Sequence, residues 1–111
     1  MKKAEIWKAV LNDTTENKQK GFRPVLIVSG NLLNTYSPLI WICPLTTKIK
    51  KYKGDLILKP TTKNGLIQES EVLAMHIRSI TKERLVEKLG CIEADQLAEL
   101  RKGLKEILEM D

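Results

Sequence analysis

Only a few side chains in this sequence are of a type and spacing suited to chemistry: Arg23 beside Pro24, the adjacent Thr46 and Thr47, Lys48, and the single histidine, His76. A guanidinium offers a rigid fork of charged donors for an anion. A threonine hydroxyl donates or accepts one hydrogen bond, and an imidazole is the side chain most ready to move a proton near neutral pH. Each also has a plainer use. An arginine at a strand start can be a surface ion-pair partner, a threonine at a strand end a turn or cap residue, and a lone histidine after an apolar run a packed, hydrogen-bonded residue. Beside them stand no phosphate-cradling glycine loop, no paired carboxylates near a lone base and no Ser/His/Asp arrangement. Cys43 and Cys91 lie among apolar residues without CxxC or histidine spacing, so they read as reduced core thiols. One histidine cannot make a zinc site, and no metal or cofactor is expected.

These residues sit at the ends of short apolar segments punctuated by turn residues, the pattern of a small antiparallel barrel. Glu5 to Leu11 reads as a first strand and Asn12 to Gly21 as a long polar loop, of a length usually functional or mobile. Arg23 to Ser29 (RPVLIVS) reads as a buried strand with Arg23 at its mouth and Pro24 where a missing N–H is tolerated. Asn31 to Asn34 make a helical turn. Pro38 to Leu45 form a second buried strand ending at Thr46, and Thr47 to Gly54 a lysine-rich turn leading into a strand over Asp55 to Lys59. Ser70 to His76 and Ile77 to Ile80 continue the sheet. Thr81 carries half of a capping pattern before a short helix, Lys82 to Glu87, and Leu89 to Ile92 form a last strand. From Ala94 onward Leu97, Leu100, Leu104, Ile107 and Leu108 recur at helical spacing, an apolar stripe that must pack on the barrel or on a second subunit.

A chain of 111 residues, 42% hydrophobic and 30% charged, suits one globular domain over residues 1–111. Its apolar runs are far shorter than the roughly 20 residues of a membrane span, and charged residues interrupt the amino terminus where a signal peptide needs an apolar stretch. A cytoplasmic location is expected. The net charge of +5 is uneven: residues 1–63 hold 12 Lys and Arg against 4 Asp and Glu, and residues 64–111 hold 7 against 10. A polyanion would be drawn to the first segment, although such charge also serves plain solubility.

Taken together, Gly21-Phe22-Arg23-Pro24 with the aliphatic run Val25 to Val28, then Asn34, Ser37-Pro38 and Cys43-Pro44-Leu45-Thr46-Thr47-Lys48, resemble the MazF/PemK toxin family. A second block, Ile77-Arg78-Ser79-Ile80 with Arg84-Leu85 and Leu89-Gly90, is similar to the family's, and the likeness runs from Ile6-Trp7 to the final helix. It implies a mainly β, α+β fold: a small SH3-like antiparallel barrel of the MazF/PemK/CcdB type with a carboxy-terminal amphipathic helix. It also implies a homodimer that cleaves single-stranded RNA without metal. Such a toxin is silenced by an antitoxin whose disordered acidic tail lies in the RNA groove. Carried over residue by residue, Arg23 and Thr46 are the catalytic pair; beside them Lys18, Lys20, Ser29, Asn34, Thr47 and Lys48 are read as an RNA- and phosphate-binding set.

RNA can be cut without metal when its own 2′-hydroxyl attacks the neighbouring phosphorus, leaving a 2′,3′-cyclic phosphate and a 5′-hydroxyl, provided the charge on the phosphorane is stabilised. Arg23 suits that stabilisation better than proton donation, given its very high intrinsic pKa, and Thr46 would hold a phosphate oxygen or the attacking hydroxyl. Two positions depart from the family. Lys18 stands where the loop before the RP motif usually carries a glutamate, and Met75-His76 replace an acidic residue and a glutamine. His76 is thus a candidate acid, base or base-reading group. Two further readings remain: a barrel that binds gyrase in the manner of CcdB without nuclease activity, and a generic nucleic-acid binder using Lys48, Lys50, Lys51 and Lys53.

Overall fold

The computed structural model describes residues 1–11 and 21–109, so Lys18, Lys20 and the polar loop around them lie outside the described residues. The elements are β1 (Glu5–Val10), β2 (Phe22–Ile27), α1 (Asn31–Tyr36), β3 (Leu39–Thr46), β4 (Leu56–Leu58), β5 (Ser70–Val72), β6 (Arg78–Thr81), β7 (Leu85–Cys91) and α2 (Ala94–Leu108). All strand pairs are antiparallel, in the order β4-β5-β3-β2-β1-β7, with β6 also on β3. The long central strand β3 serves two sheets along one edge. Its first half pairs with β6 (Ile40 opposite Ile80, Ile42 opposite Arg78) and its second with β5 (Leu45 opposite Val72, Thr46 opposite Glu71). The result is a curled half-barrel with α2 against it.

Strand alternation divides the core in two. Ile6, Leu26, Cys43 and Leu45 face one way and join Leu56, Leu58, Val72 and Leu100 of α2. Val25, Ile27, Ile40, Ile42 and Ile80 face the other way with Ala9, flanked by Trp7, Leu11 and Leu85. Successive side chains of a strand point to opposite faces, so β2 and β3 must be apolar at nearly every position to bury both, as the runs Val25–Ile27 and Ile40–Leu45 are. Pro24 falls opposite Lys8 just before the β2–β3 pairing begins at Val25, so its missing N–H breaks no bond to β3.

Helix α2 uses its stripe within the chain: Leu100 is buried, and Leu97, Leu104 and Ile107 pack on the first cluster, whereas Leu108 is exposed. Its amino end is a reciprocal capping box between Glu93 and Gln96. Gly103, also buried, lies so close to Gly54 that a Cβ there would run into the Gly54 carbonyl oxygen, which seats the helix directly on the end of the lysine-rich turn.

Two sequence expectations change. The strand over Ser70 to His76 stops at Val72, and Ala74–His76 form a 3₁₀ turn that lifts His76 out of the sheet. The helix over Lys82 to Glu87 shrinks to a 3₁₀ turn, Lys82–Arg84, without a side-chain cap from Thr81. Leu85 onward is instead claimed by β1, and β7 runs over seven residues. Tertiary pairing overrides a weak local helix signal here. The two cysteines are unpaired. Cys43 is buried, with its thiol pushed up to about 12 by burial and by nearby Asp55, and Cys91 is half-buried. Among the described residues, no helix is long and apolar enough to cross a membrane.

Candidate functional site

The alternation that buries Val25 and Ile27 sets Arg23 on the same face two residues earlier, and the alternation of β3 carries Pro44 and Thr46 onward from Ile42 on that face. Arg78, opposite Ile42 and two residues before Ile80, joins them. Where the second apolar cluster ends, this face therefore turns cationic.

Arg23 forms the ridge between two hollows. On one side a cleft of 770 Å³ is lined by Leu11, Gly21, Arg23, Pro44, Leu73, His76 and Arg78. On the other a cavity of 330 Å³ is lined by Phe22, Arg23, Pro24, Leu45, Thr46, Thr47, Lys48 and Ser70. Among the described residues the ion pairs are Lys8–Glu87, Lys63–Glu93 and Lys88–Glu5, and none engages Arg23 or Arg78. Two exposed guanidiniums thus line one cleft without a carboxylate partner among the described residues, an arrangement of charge that suits an anion.

Thr46 is oriented by its own turn. The Lys48 backbone N–H donates to its Oγ1 at 3.1 Å, which occupies an acceptor lone pair and leaves the hydroxyl proton free to donate outward. The turn that follows is gathered by Glu71, whose carboxylate accepts from the backbone N–H groups of Lys50 (2.6 Å), Lys51 (3.0 Å) and Tyr52 (3.0 Å). Asp55 also hydrogen-bonds Glu71, and its Oδ1 accepts from the Ala74 N–H at 2.9 Å, at the first residue of the turn bearing His76. Burial, the hydrogen bond to Glu71 and the negative charge of that neighbour raise Asp55 to about 6. Glu71 is held down to about 2, burial being outweighed by the bond from Asp55 and the three backbone donors. A carboxylate pair absent from the linear sequence is thus made by the fold.

Of the residues singled out from sequence, the structure brings Arg23, Thr46, Thr47, Lys48 and His76 to these two hollows. Ser29 and Asn34 are corrected. Both are buried and spent on each other: Ser29 Oγ bonds Asn34 Oδ1, the Asn34 amide donates to the Ser29 carbonyl at 2.9 Å, and the Trp41 N–H donates to Ser29 Oγ at 3.1 Å. They tie α1 to β3 and offer no group to a phosphate. Sequence reasoning left out Arg78, Phe22, Glu71 and Asp55. Arg78 was signalled by its spacing from Ile80, whereas Glu71, in the polar run Gln68-Glu69-Ser70-Glu71, carried no signal of its burial.

A curled antiparallel half-barrel closed by a carboxy-terminal helix is the architecture of the MazF toxins. The crystal structure of MazF from Deinococcus radiodurans matches with a TM-score of 0.82 at 30% identity, covering 99% of this chain and 97% of that one. The match to a MazE–MazF structure from the same organism has a TM-score of 0.85 at 29% identity, covering 100% and 97%. Residues 2–108 fit the family model described as PemK-like, MazF-like toxin of type II toxin-antitoxin system, and the chain belongs to that family. Among curated proteins it is 30% identical to endoribonuclease MazF9 of Mycobacterium tuberculosis over 99% of this chain and 98% of that protein. It is 26% identical to endoribonuclease EndoA of Bacillus subtilis over 95% and 91%.

Proposed function

We propose that this chain is the toxin of a toxin–antitoxin pair and acts as an endoribonuclease on single-stranded RNA, with Arg23 and Thr46 at the reacting phosphate. The observation that carries the reading is the position of Arg23, on the ridge between the Thr46 cavity and the His76–Arg78 cleft and without an ion-pair partner among the described residues. A phosphodiester lying across that ridge would place its non-bridging oxygens on the guanidinium fork and the Thr46 hydroxyl. Both gain strength as charge builds on the phosphorane, so they stabilise the transition state more than the ground state. The substrate's 2′-hydroxyl is the nucleophile, and the products are a 2′,3′-cyclic phosphate and a 5′-hydroxyl. His76, exposed on the cleft wall, serves as proton acceptor or contacts a base; Phe22 offers a stacking face beside Thr46.

The endoribonuclease names of the curated relatives and the MazE–MazF structures among the neighbours support the same reading. The cognate antitoxin then neutralises the cationic cleft with an acidic disordered tail. A homodimer is proposed on the uncovered apolar face of α1 and β3. Leu32 (77% exposed), Tyr36 (79%) and Trp41 (44%) stand together in residues 24–47, a stretch without one charge. The chain acts as one domain in the cytoplasm.

The test is cleavage of a mixed-sequence single-stranded RNA in EDTA by wild type, Arg23→Ala and Thr46→Ala. Cutting by the wild type is expected, with each variant slower by about 10²–10³. Intact RNA in the wild-type lane, or cutting by both variants at the wild-type rate, would sink the reading.

A further inference from the structure

Glu71 takes no part in the reaction derived above, yet it is a fully buried charge (0% exposed) and the cross-strand partner of Thr46. A carboxylate persists there only if its oxygens are satisfied. The backbone N–H groups of Lys50, Lys51 and Tyr52 and the side chain of Asp55 do this, and all four belong to one segment. Within that segment Lys51 has a left-handed backbone (φ 59°), a conformation that persists when its surroundings over-determine it. The three N–H bonds to Glu71 supply that constraint.

Each end of the segment touches a wall of the site. Just before it, the Lys48 N–H fixes Thr46 Oγ1. At its far end Asp55 holds the Ala74 N–H, where the His76 turn begins. We propose that Glu71 is a positioning residue for the RNA cleavage described above: with Asp55 it fixes the Lys48–Tyr52 turn to the Ala74–His76 turn, and so sets where the Thr46 hydroxyl and the His76 ring stand relative to Arg23. The inference rests on the nuclease reading. Glu71 touches no substrate and acts through Thr46 and the two turns.

The experiment is a double-mutant cycle in RNA cleavage with Glu71→Gln and Thr46→Ala, run well below every variant's melting temperature and joined to amide exchange. Glutamine keeps the volume but removes the charge and turns an NH₂ toward backbone donors. Expected is a fall in kcat of about ten- to hundredfold with KM nearly unchanged. That fall largely disappears in the Thr46→Ala background, because the misplaced hydroxyl is already gone. The amides of Lys50, Lys51, Tyr52 and Ala74 should exchange faster while those of Leu26 and Cys43 do not. Losses that multiply across the cycle, an unchanged kcat, or faster exchange throughout the sheet would each overturn the proposal. A wild type that cuts no RNA fells the nuclease reading instead, and the exchange pattern then decides by itself whether Glu71 holds the two turns.

Discussion

Two turns in this molecule are each gathered by one buried side chain, and the two side chains are of opposite kinds. Asn64 organises residues 59–66 with a neutral amide. Its Oδ1 accepts from the Thr61 and Leu66 N–H groups (3.0 and 2.9 Å), its Nδ2 donates to the Lys59 carbonyl (2.9 Å), and its own N–H donates to Thr61 Oγ1 (3.0 Å). Glu71 organises residues 50–52 with a charge and is hydrogen-bonded to Asp55. An amide has donors and acceptors enough to satisfy itself and is indifferent to pH, which suits a turn whose only task is to hold shape. An anion holds N–H groups more firmly but must be compensated and titrates. The charged version is the one beside the cationic hollows, where it fixes geometry under a turn carrying Lys48, Lys50, Lys51 and Lys53.

That contrast can be broken at several points. The largest stability loss is expected from Glu71→Ala, about 3 kcal/mol or more, because three backbone donors and the Asp55 carboxyl lose their acceptor together. Asn64→Ala should cost less, about 2 kcal/mol, and leave kcat of the folded enzyme intact. Urea denaturation read beside cleavage kinetics checks both, and an Asn64→Ala protein that is stable but slow would erase the distinction.

The smallest effect is the most specific. Because Asp55 is raised to about 6, the folded state binds a proton that the unfolded state releases near its ordinary value of 3.8, so stability is lost as pH rises through that window. Glu71, held down to about 2, has the opposite sign: its contribution is present above its ordinary 4.5 and is lost as pH falls. The pair therefore contributes most near pH 4, with a decline toward pH 6. Asp55→Asn mimics the protonated acid, donating to Glu71 and accepting from Ala74. It should flatten the decline between pH 4.5 and 6 and raise the melting temperature at pH 7 by on the order of 4–8 °C, for about 1 kcal/mol. A variant less stable than wild type at pH 7 would contradict the raised Asp55, and Asn64→Ala should leave the pH profile parallel to wild type.

Sequence reading reached the strands at the centre of the sheet and the helix at its end, because β1, β2, β3 and α2 carry long apolar signals with little competition. It misjudged residues 73–88. There, short segments switch between 3₁₀ turn and strand according to what pairs with them, and β1 claims Leu85–Glu87 from a would-be helix. At the site, Arg23 and Thr46 were legible as an RP motif and a strand end. Ser29 and Asn34 looked like phosphate ligands because their polarity is visible in sequence while their burial against each other is not. The Asp55–Glu71 pair was hidden for a similar reason: the two residues meet only once β4 pairs with β5.

The central claim, that a phosphodiester across Arg23 is cut by its own 2′-hydroxyl, is tested most directly with a single oligonucleotide carrying one 2′-deoxy sugar at the mapped cleavage position. In EDTA the all-RNA strand should yield a 2′,3′-cyclic phosphate and a 5′-hydroxyl, and the substituted strand should bind and remain whole. Cleavage at the deoxy position, or a 5′-phosphate product from the all-RNA strand, would contradict it.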